Sequence, residues 1–395
     1  MRVLLSDGAG LTSRQVATVL GRAGHRVEVL DSSGFALTHV TRWVARVHKV
    51  PPYGVDPFAW FDAMLRVLDH DVLIPTQEQV AILSLRRNAV PAALAVPEFG
   101  ALCRVLDKVS AIGLLAELGL PHPQTGVVHS ASELREAELP AYVKLPIGTA
   151  STGVRYVSTV DDLAALDLSY GDGVLVQRPV AGPLLMVQAV YDSGRLVAWH
   201  ACERSREGVG GGACGKSSRP VPAIGEHLAA LGEALRWHGG LSGGGILTAD
   251  GPVYIDLNPR IVEPINAQRA GVDLVGALLD VSLGGHPPAR PAGDPDVRTH
   301  QLLLALAAAA SRGRGAVARD LGTALLGRGH YRGSTEELTP LGGDARSLVP
   351  MAYVASRLLA TPGWATRLTG GAVANYALTA DGWRAIRAWQ DRRHD

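Results

Sequence analysis

Polar and apolar residues alternate along the short stretch VYIDLNPRIVEP (253–264). Val253, Ile255 and Leu257 interleave with Tyr254, Asp256 and Asn258, the period of a β-strand. The Asp256 carboxylate and the Asn258 amide therefore share one face. Pro259 removes a ladder donor and ends the strand, with Arg260 beside it. A carboxylate and an amide oxygen are hard ligands of the kind Mg²⁺ takes while it bridges phosphates. A guanidinium pairs with a phosphoryl or carboxylate group. Matching cations lie upstream. Only four of the 38 basic residues are lysines: Lys49, Lys108, Lys144 and Lys216. A lysine that survives so strong a bias towards arginine is a candidate for a task that needs a compact point charge. Lys144 stands in the strand-like AYVKLP (141–146), just before the small-residue loop GTASTG (148–153). Backbone N–H groups of such a loop can approach a phosphate. Lys108, Lys144, this loop and residues 256–260 together describe phosphate and metal chemistry.

Two other segments compete for a nucleotide. Gly8-x-Gly10-x-x-Ser13 follows the first strand, with Asp31 closing the second. A dinucleotide site wants glycine where Ser13 stands, so this segment reads as a tight turn in a Rossmann-like domain. GGGACGKSS (210–218) matches the spacing of a P-loop, through Gly210, Gly215, Lys216 and Ser217. That motif needs a helix after its lysine, and Pro220 and Pro222 forbid one. The charged, glycine-rich run 203–218 reads instead as a mobile lid, with Arg204, Arg206 and Lys216 turned towards anions. His200, at a strand end, reads more readily as packed than as a base.

The elements that must hold these groups follow from period and punctuation. Residues 1–30 read strand, glycine turn, helix, strand, with Gly24 at the helix C-terminus. Residues 71–83 read strand then helix, so the N-terminal part is a parallel α/β sheet. A helix starts near Asp107 and stops at Gly119, before Pro121 and Pro123. Ser130 and Glu133 offer a capping box. Strands are expected in 141–146, 154–158, 173–180, 184–201 and 244–258, with DSG and ADG as hairpin turns. The Pro/Gly-rich 284–295 is a linker, and the remainder is mainly helical. Its apolar run LLLALAAAA (302–310) is too short to span a bilayer. The N-terminus turns polar after three apolar residues, unlike a signal peptide. Net charge of +1, from 38 basic and 37 acidic residues, offers no footprint for nucleic acid or a membrane surface. Cys103, Cys202 and Cys214 lack metal spacing and read as reduced thiols of a cytoplasmic protein.

In order and spacing, DK…GLPHP, YVKLPIGTASTGV, VQRPVAG and YIDLNPR…AGVDL resemble the ATP-grasp superfamily. The most similar branch holds biotin carboxylase, carbamoyl phosphate synthetase and the carboxylate–amine ligases. The resemblance covers residues 1–285 or so. It implies an α/β (α+β) fold: a Rossmann-like domain over 1–96, an ATP-grasp domain of two α+β subdomains over 97–285, and a mainly helical segment over 286–395. The nucleotide cleft would lie between about 97–175 and 176–285. Carried over by matching position, Lys108 and Lys144 contact ATP phosphates, and Gly148, Thr149, Ser151, Thr152 and Gly153 form the loop over them. Gln177, Arg178 and Val180 belong to the hinge that holds adenine. Asp256 and Asn258 bind Mg²⁺, with Mn²⁺ as the alternative ion. Arg260 steadies the transferring phosphoryl group or an acyl phosphate, assisted by Arg204 and Lys216 from the lid.

The implied activity is ATP-dependent ligation of a carboxylic acid to an amine through an acyl phosphate, releasing ADP and phosphate, in small-molecule biosynthesis. The alternatives are a bicarbonate-activating subunit of the carboxylase or carbamoyl-phosphate type, and a non-catalytic nucleotide-binding protein. Proteins of this branch are often dimeric, so a homodimer is a possible assembly. The sequence departs from the pattern in two places. The family sets another acidic or amide metal ligand on the strand before the hairpin, where this chain has Gly244 and Gly245. Either one metal site is incomplete or another acid, such as Glu263, stands in. Pro183–Leu185 replace the usual glutamate after the hinge, which leaves the ribose contact open.

Overall fold

The computed structural model describes residues 1–149, 153–166, 168, 173–208, 211–365, 373 and 375–392. The N-terminal sheet is parallel, in the order β3-β2-β1-β4, from β1 (Arg2–Leu5), β2 (Arg26–Asp31), β3 (Val44–Lys49) and β4 (Val72–Ile74). Its central strands are apolar on both faces because helices cover both. α1 (Leu11–Arg22) lies on the face of Val3, Leu5, Val27 and Val29. α2 (Pro57–Val67) and α3 (Val80–Leu85) lie on the face of Leu4, Leu30 and Leu73. Asp56 caps α2 by accepting from the backbone N–H groups of Phe58 and Ala59. Gly24 follows α1 at φ +86°, the left-handed conformation expected after a helix.

α4 (Phe99–Leu106) and α5 (Lys108–Glu117) lead into a small antiparallel sheet in the order β5-β8-β6-β7. Its strands are β5 (Thr125–Val128), β6 (Ala141–Lys144), β7 (Val154–Val157) and β8 (Val174–Gln177). α6 (Ala131–Arg135), capped by Ser130, and α7 (Val160–Ala164) cover one face with Leu134 and Leu163.

The large sheet runs β13-β12-β9-β10-β11-β14-β15. It contains β9 (Leu184–Asp192), β10 (Arg195–Glu207), β11 (Ala213–Ser218), β12 (Gly239–Thr248), β13 (Gly251–Asn258), β14 (Arg298–His300) and β15 (Ser334–Glu336). α8 (Pro222–Leu235) packs with α5 on one face, through Leu114, Leu115, Leu185, Val187, Leu228 and Leu231. α9 (Ile265–Arg269) and α10 (Leu274–Ser282) join the other face to the N-terminal sheet in one apolar core. α11 (Leu302–Ala310), α12 (Arg314–Leu325) and α13 (Leu348–Ala360) form a helical cluster over Cys214 of β11. α14 (Ala380–Asp391) returns to the apolar core around α2 and α3, where Trp383 meets Phe99.

Two features differ from the reading of the sequence. The expected mobile lid, 203–218, consists mainly of paired strand: the end of β10 runs antiparallel to β11, with Arg204 opposite Lys216. The large sheet also continues past the 284–295 linker, because β14 pairs with β11 and β15 with β14. Among the described residues no helix is long and apolar enough to cross a membrane. All three cysteines are free.

Candidate functional site

A cleft of about 200 Å³ opens between the small sheet and the large one. Lys108, Lys144 and Gly148 line one side; Gln188, Arg204, Ser242, Gly244, Asp256 and Asn258 line the other. Lys108 is the first residue of α5, whose N-terminus is capped by the Asp107 carboxylate. Its Nζ donates to Gly148 O at 3.1 Å and lies 3.7 Å from Asp256 Oδ1. Lys144 ends β6, and its Nζ donates to Gln177 Oε1 at 2.6 Å and to Ile255 O at 3.0 Å. Burial lowers the Lys144 pKa to about 8, opposed by the attraction of Asp256 and reinforced by the repulsion of Lys108. Two cations thus converge on one carboxylate, and one of them loses its charge as the pH rises through about 8.

Asp256 and Asn258 point the same way from β13, and Asn258 Nδ2 donates to Asp256 Oδ2 at 3.2 Å. Among the described residues, Asp256 Oδ1 is buried and accepts no hydrogen bond, and Ser242 Oγ, on β12 directly opposite Asn258, is likewise buried without a partner. Buried oxygens of this kind are costly unless something else satisfies them. An oxygen-seeking divalent cation between them fits that demand. Gly244 lies opposite Asp256 on the same strand face as Ser242. A Cβ there would meet nothing closer than 3.5 Å, whereas one at Gly245 would come within 3.1 Å of Val253 O. Gly244 is therefore the position where a ligand side chain would fit.

The remaining sequence candidates divide between the cleft and other places. Arg204 is on the cleft wall, but Lys216 and Arg260 are not among its lining residues. Lys216 is 1% exposed, and its Nζ donates to Glu263 Oε2 at 2.5 Å and Glu337 Oε2 at 2.6 Å. Burial alone would lower its pKa; the two carboxylates outweigh that and raise it. Glu263 is consequently engaged away from the cleft and does not stand in for the ligand missing at Gly244. Arg260 Nη2 pairs with buried Glu78 Oε1 at 3.0 Å.

Gln177 supports Lys144 and donates from Nε2 to Thr125 Oγ1 at 3.1 Å. Arg178 is exposed, pairs with Glu138 and lines a second, separate groove. Val180 follows β8 and is not among the residues lining the cleft. Thr149 is buried. Gly153, at φ +78°, turns the chain so that its O accepts from Leu145 N at 2.9 Å. Ser151 and Thr152 lie outside the described residues. His200 is buried, with Nε2 2.8 Å from Asn266 Oδ1, and burial takes its pKa down to about 4. Asp31, the acid of the dinucleotide reading, is taken by His39 at 2.6 Å and by Ser33.

Ser242 and Gln188 were not singled out from the sequence. Ser242 carried a signal, because it sits two residues before Gly244 and shares its face. Gln188 carried none, since its place on the wall depends on strand order.

No family model matches the chain, and no curated protein matches it. Solved structures do. An N5-carboxyaminoimidazole ribonucleotide synthetase, solved as its ADP complex, superposes with a TM-score of 0.61 at 15% identity, over 82% of this chain and 85% of that one. The biotin carboxylase domain of Hydrogenobacter thermophilus 2-oxoglutarate carboxylase gives 0.60 at 15% identity, over 75% of this chain and 73% of that one. An L-amino acid ligase from Bacillus licheniformis gives 0.57 at 15% identity, over 73% and 75%. The chain has the fold these proteins share, the ATP-grasp fold that its motifs resemble.

Proposed function

We propose that the protein is an ATP-dependent ligase that joins a carboxylic acid to an amine through an acyl phosphate, releasing ADP and phosphate. The observation that carries this reading is the convergence of Lys108, Lys144, Asp256 and Asn258 on one cleft between the small sheet and the large one. The solved relatives in fold include a biotin carboxylase domain described with MgADP and bicarbonate, and an L-amino acid ligase. A carboxylate oxygen of the acid attacks the γ-phosphorus of ATP, and the bond to the leaving ADP breaks. The amine then attacks the acyl carbon, phosphate leaves, and the amine proton passes to solvent. Lys108 and Lys144 neutralise the charge that spreads over the phosphoryl oxygens, and Arg204 faces it from the opposite wall. Gln177 and the Ile255 carbonyl fix the Lys144 ammonium so that little reorganisation accompanies transfer. Mg²⁺ would be held by Asp256 and Asn258, with Ser242 beside them, and when bound it adds electrostatic stabilisation of the phosphates. The homodimer named for the biotin carboxylase domain is the assembly we expect.

The glycine at 244 favours one second reading, a nucleotide-binding protein without turnover. ADP release with Mg·ATP against a panel of amino and other carboxylic acids separates the two. Acid-dependent ADP, with hydroxamate formed when hydroxylamine is present, is the expected result. Nucleotide binding without stimulation by any acid, with Mg²⁺ or Mn²⁺, would leave the binder.

Lys144 also sets a pH dependence. Its ammonium is the phosphate-binding form and is present below about 8 in the free protein. Nucleotide affinity is therefore expected to fall by up to about tenfold between roughly pH 7 and pH 9. Lys144→Arg, whose guanidinium stays charged, should flatten the profile. Calorimetric titration with MgADP at both pH values checks this, and a flat wild-type profile would reject it.

A further inference from the structure

The cleft does not use Glu28, His48 or His70, which lie together in the N-terminal sheet. We propose that these three residues form a separate binding site for a divalent transition-metal ion of the zinc class. Glu28 comes from β2, His48 from the edge strand β3, and His70 from the turn between α2 and β4. The parallel register sets Glu28 opposite Arg46 and Leu30 opposite His48, so Glu28 and His48 share the α2 face of the sheet. Glu28 Oε2 lies 2.7 Å from His48 Nε2 and 3.3 Å from His70 Nε2. All three ligand atoms fall within 4.8 Å of one another. Around a tetrahedral ion with bonds of about 2.0–2.1 Å, neighbouring ligand atoms are about 3.4 Å apart. The cluster therefore closes on an ion with shifts of about an ångström or less.

Burial makes this more than a surface coincidence. The side chains of Glu28, His48 and His70 are 3%, 10% and 1% exposed. His70 Nε2 is buried and faces the Glu28 carboxylate at 3.3 Å, without a well-aligned hydrogen bond among the described residues. The two rings stand at 83° with centroids 5.9 Å apart, so their nitrogens converge and the rings do not stack. Arg26 Nε donates to the other carboxylate oxygen, Glu28 Oε1, at 3.0 Å. That contact orients Oε2 towards the imidazoles, the part played by outer-shell partners of metal ligands.

One rearrangement is required. The Asp69 N–H points at His70 Nδ1 at 3.2 Å, so the neutral ring carries its proton on Nε2. Binding moves that proton to Nδ1, and the N–H of exposed Asp69 turns to water. Two imidazoles and one carboxylate suit Zn²⁺, Co²⁺ or Ni²⁺ and not Mg²⁺ or Ca²⁺. Three protein ligands leave a coordination position for water. An ion here would tie edge strand β3 to β2 and to the entry of β4.

The test uses the full chain, stripped with chelator and free of nucleotide. Titration with Co²⁺ should give one bound ion per chain with visible ligand-field absorption, displaced by Zn²⁺. Zn²⁺ alone should raise the unfolding temperature. His70→Ala and His48→Gln should each weaken Co²⁺ binding by at least about tenfold. His48 is the less buried of the two histidines, so its variant keeps the test open if His70→Ala does not fold. Asp256→Asn, in the cleft, should leave the cobalt signal unchanged. Absence of ligand-field absorption at stoichiometric Co²⁺ would overturn the site. So would binding that survives both histidine substitutions, or that disappears with Asp256→Asn.

Discussion

Lys216→Met is expected to destabilise the protein by about 3–5 kcal/mol, the usual cost of removing one partner from a buried ion pair. Methionine keeps most of the stem volume, so the loss falls on the charge. Without it, Glu263 and Glu337 face each other with only neutral donors left. Gln301 Nε2 reaches both carboxylates, at 2.5 and 2.7 Å. Thr299 Oγ1 and Gln15 Nε2 reach Glu337 at 2.6 and 2.9 Å. The cluster joins β11, the loop after β13, the segment after β15, and α1, so its failure loosens the junction of three parts of the fold. Glu263 also holds φ at +48°, a left-handed conformation costly for a residue with a Cβ. Such a backbone persists only where its surroundings over-determine it, and Lys216 is part of those surroundings. Urea unfolding of wild type and variant measures the loss. Adding Glu337→Gln to Lys216→Met should recover part of it, because the two side chains are directly coupled. A loss below about 1 kcal/mol, the range of an exposed pair, would show that the lysine does not hold the carboxylates.

Lys216 also shows where the sequence misleads. Its spacing among glycines suggested a mobile anion-binding lid. Gly215 serves closeness: a Cβ there would lie 3.0 Å from Arg206 Cβ and from Ser205 Oγ, where β10 and β11 approach through an irregular register. The partner that explains Lys216, Glu337, sits just beyond a three-residue strand in a segment without a motif. Strands that short carry no readable period, so neither β14 nor β15 could be anticipated. The pairing of Arg260 with Glu78 was hidden for a related reason, since it joins segments far apart in sequence whose docking no local pattern encodes. Legible features were those that a single strand or helix end dictates. Alternation placed Asp256 and Asn258 on one face. Asp107 marked the helix start that carries Lys108. The end of AYVK put Lys144 at a strand terminus beside the small-residue loop. Strand order then brought these local features to one cleft.

Asp256→Asn is expected to lower acid-dependent ADP formation by about a hundredfold or more, comparable to removing a single electrostatic contributor at other active sites. The exchange is nearly isosteric. An asparagine oxygen still accepts from Asn258 Nδ2, so the fold of the β12–β13 hairpin should stand. What disappears is the negative charge between Lys108 and Lys144, and with it the strongest oxygen ligand for a cation. Metal-free ADP should bind the variant at least as well as it binds wild type, while the gain in affinity on adding Mg²⁺ should shrink. Equal losses for both forms of the nucleotide would mean that Asp256 only orders the wall. Gly244→Glu probes the same site from the opposite strand. The position is open, with an added Cβ 3.9 Å from Asp256 Cβ, so a second carboxylate can enter the cleft without displacing backbone. Tighter Mg²⁺ binding together with faster ADP formation would show that glycine leaves the site short of a ligand. Tighter Mg²⁺ binding with slower turnover would instead mark the glycine as fitted to a single ion, because an over-tight second carboxylate would hold the products' phosphates through the metal. Either result keeps Asp256 at the centre of the site, and only Asp256→Asn with undiminished turnover would remove it.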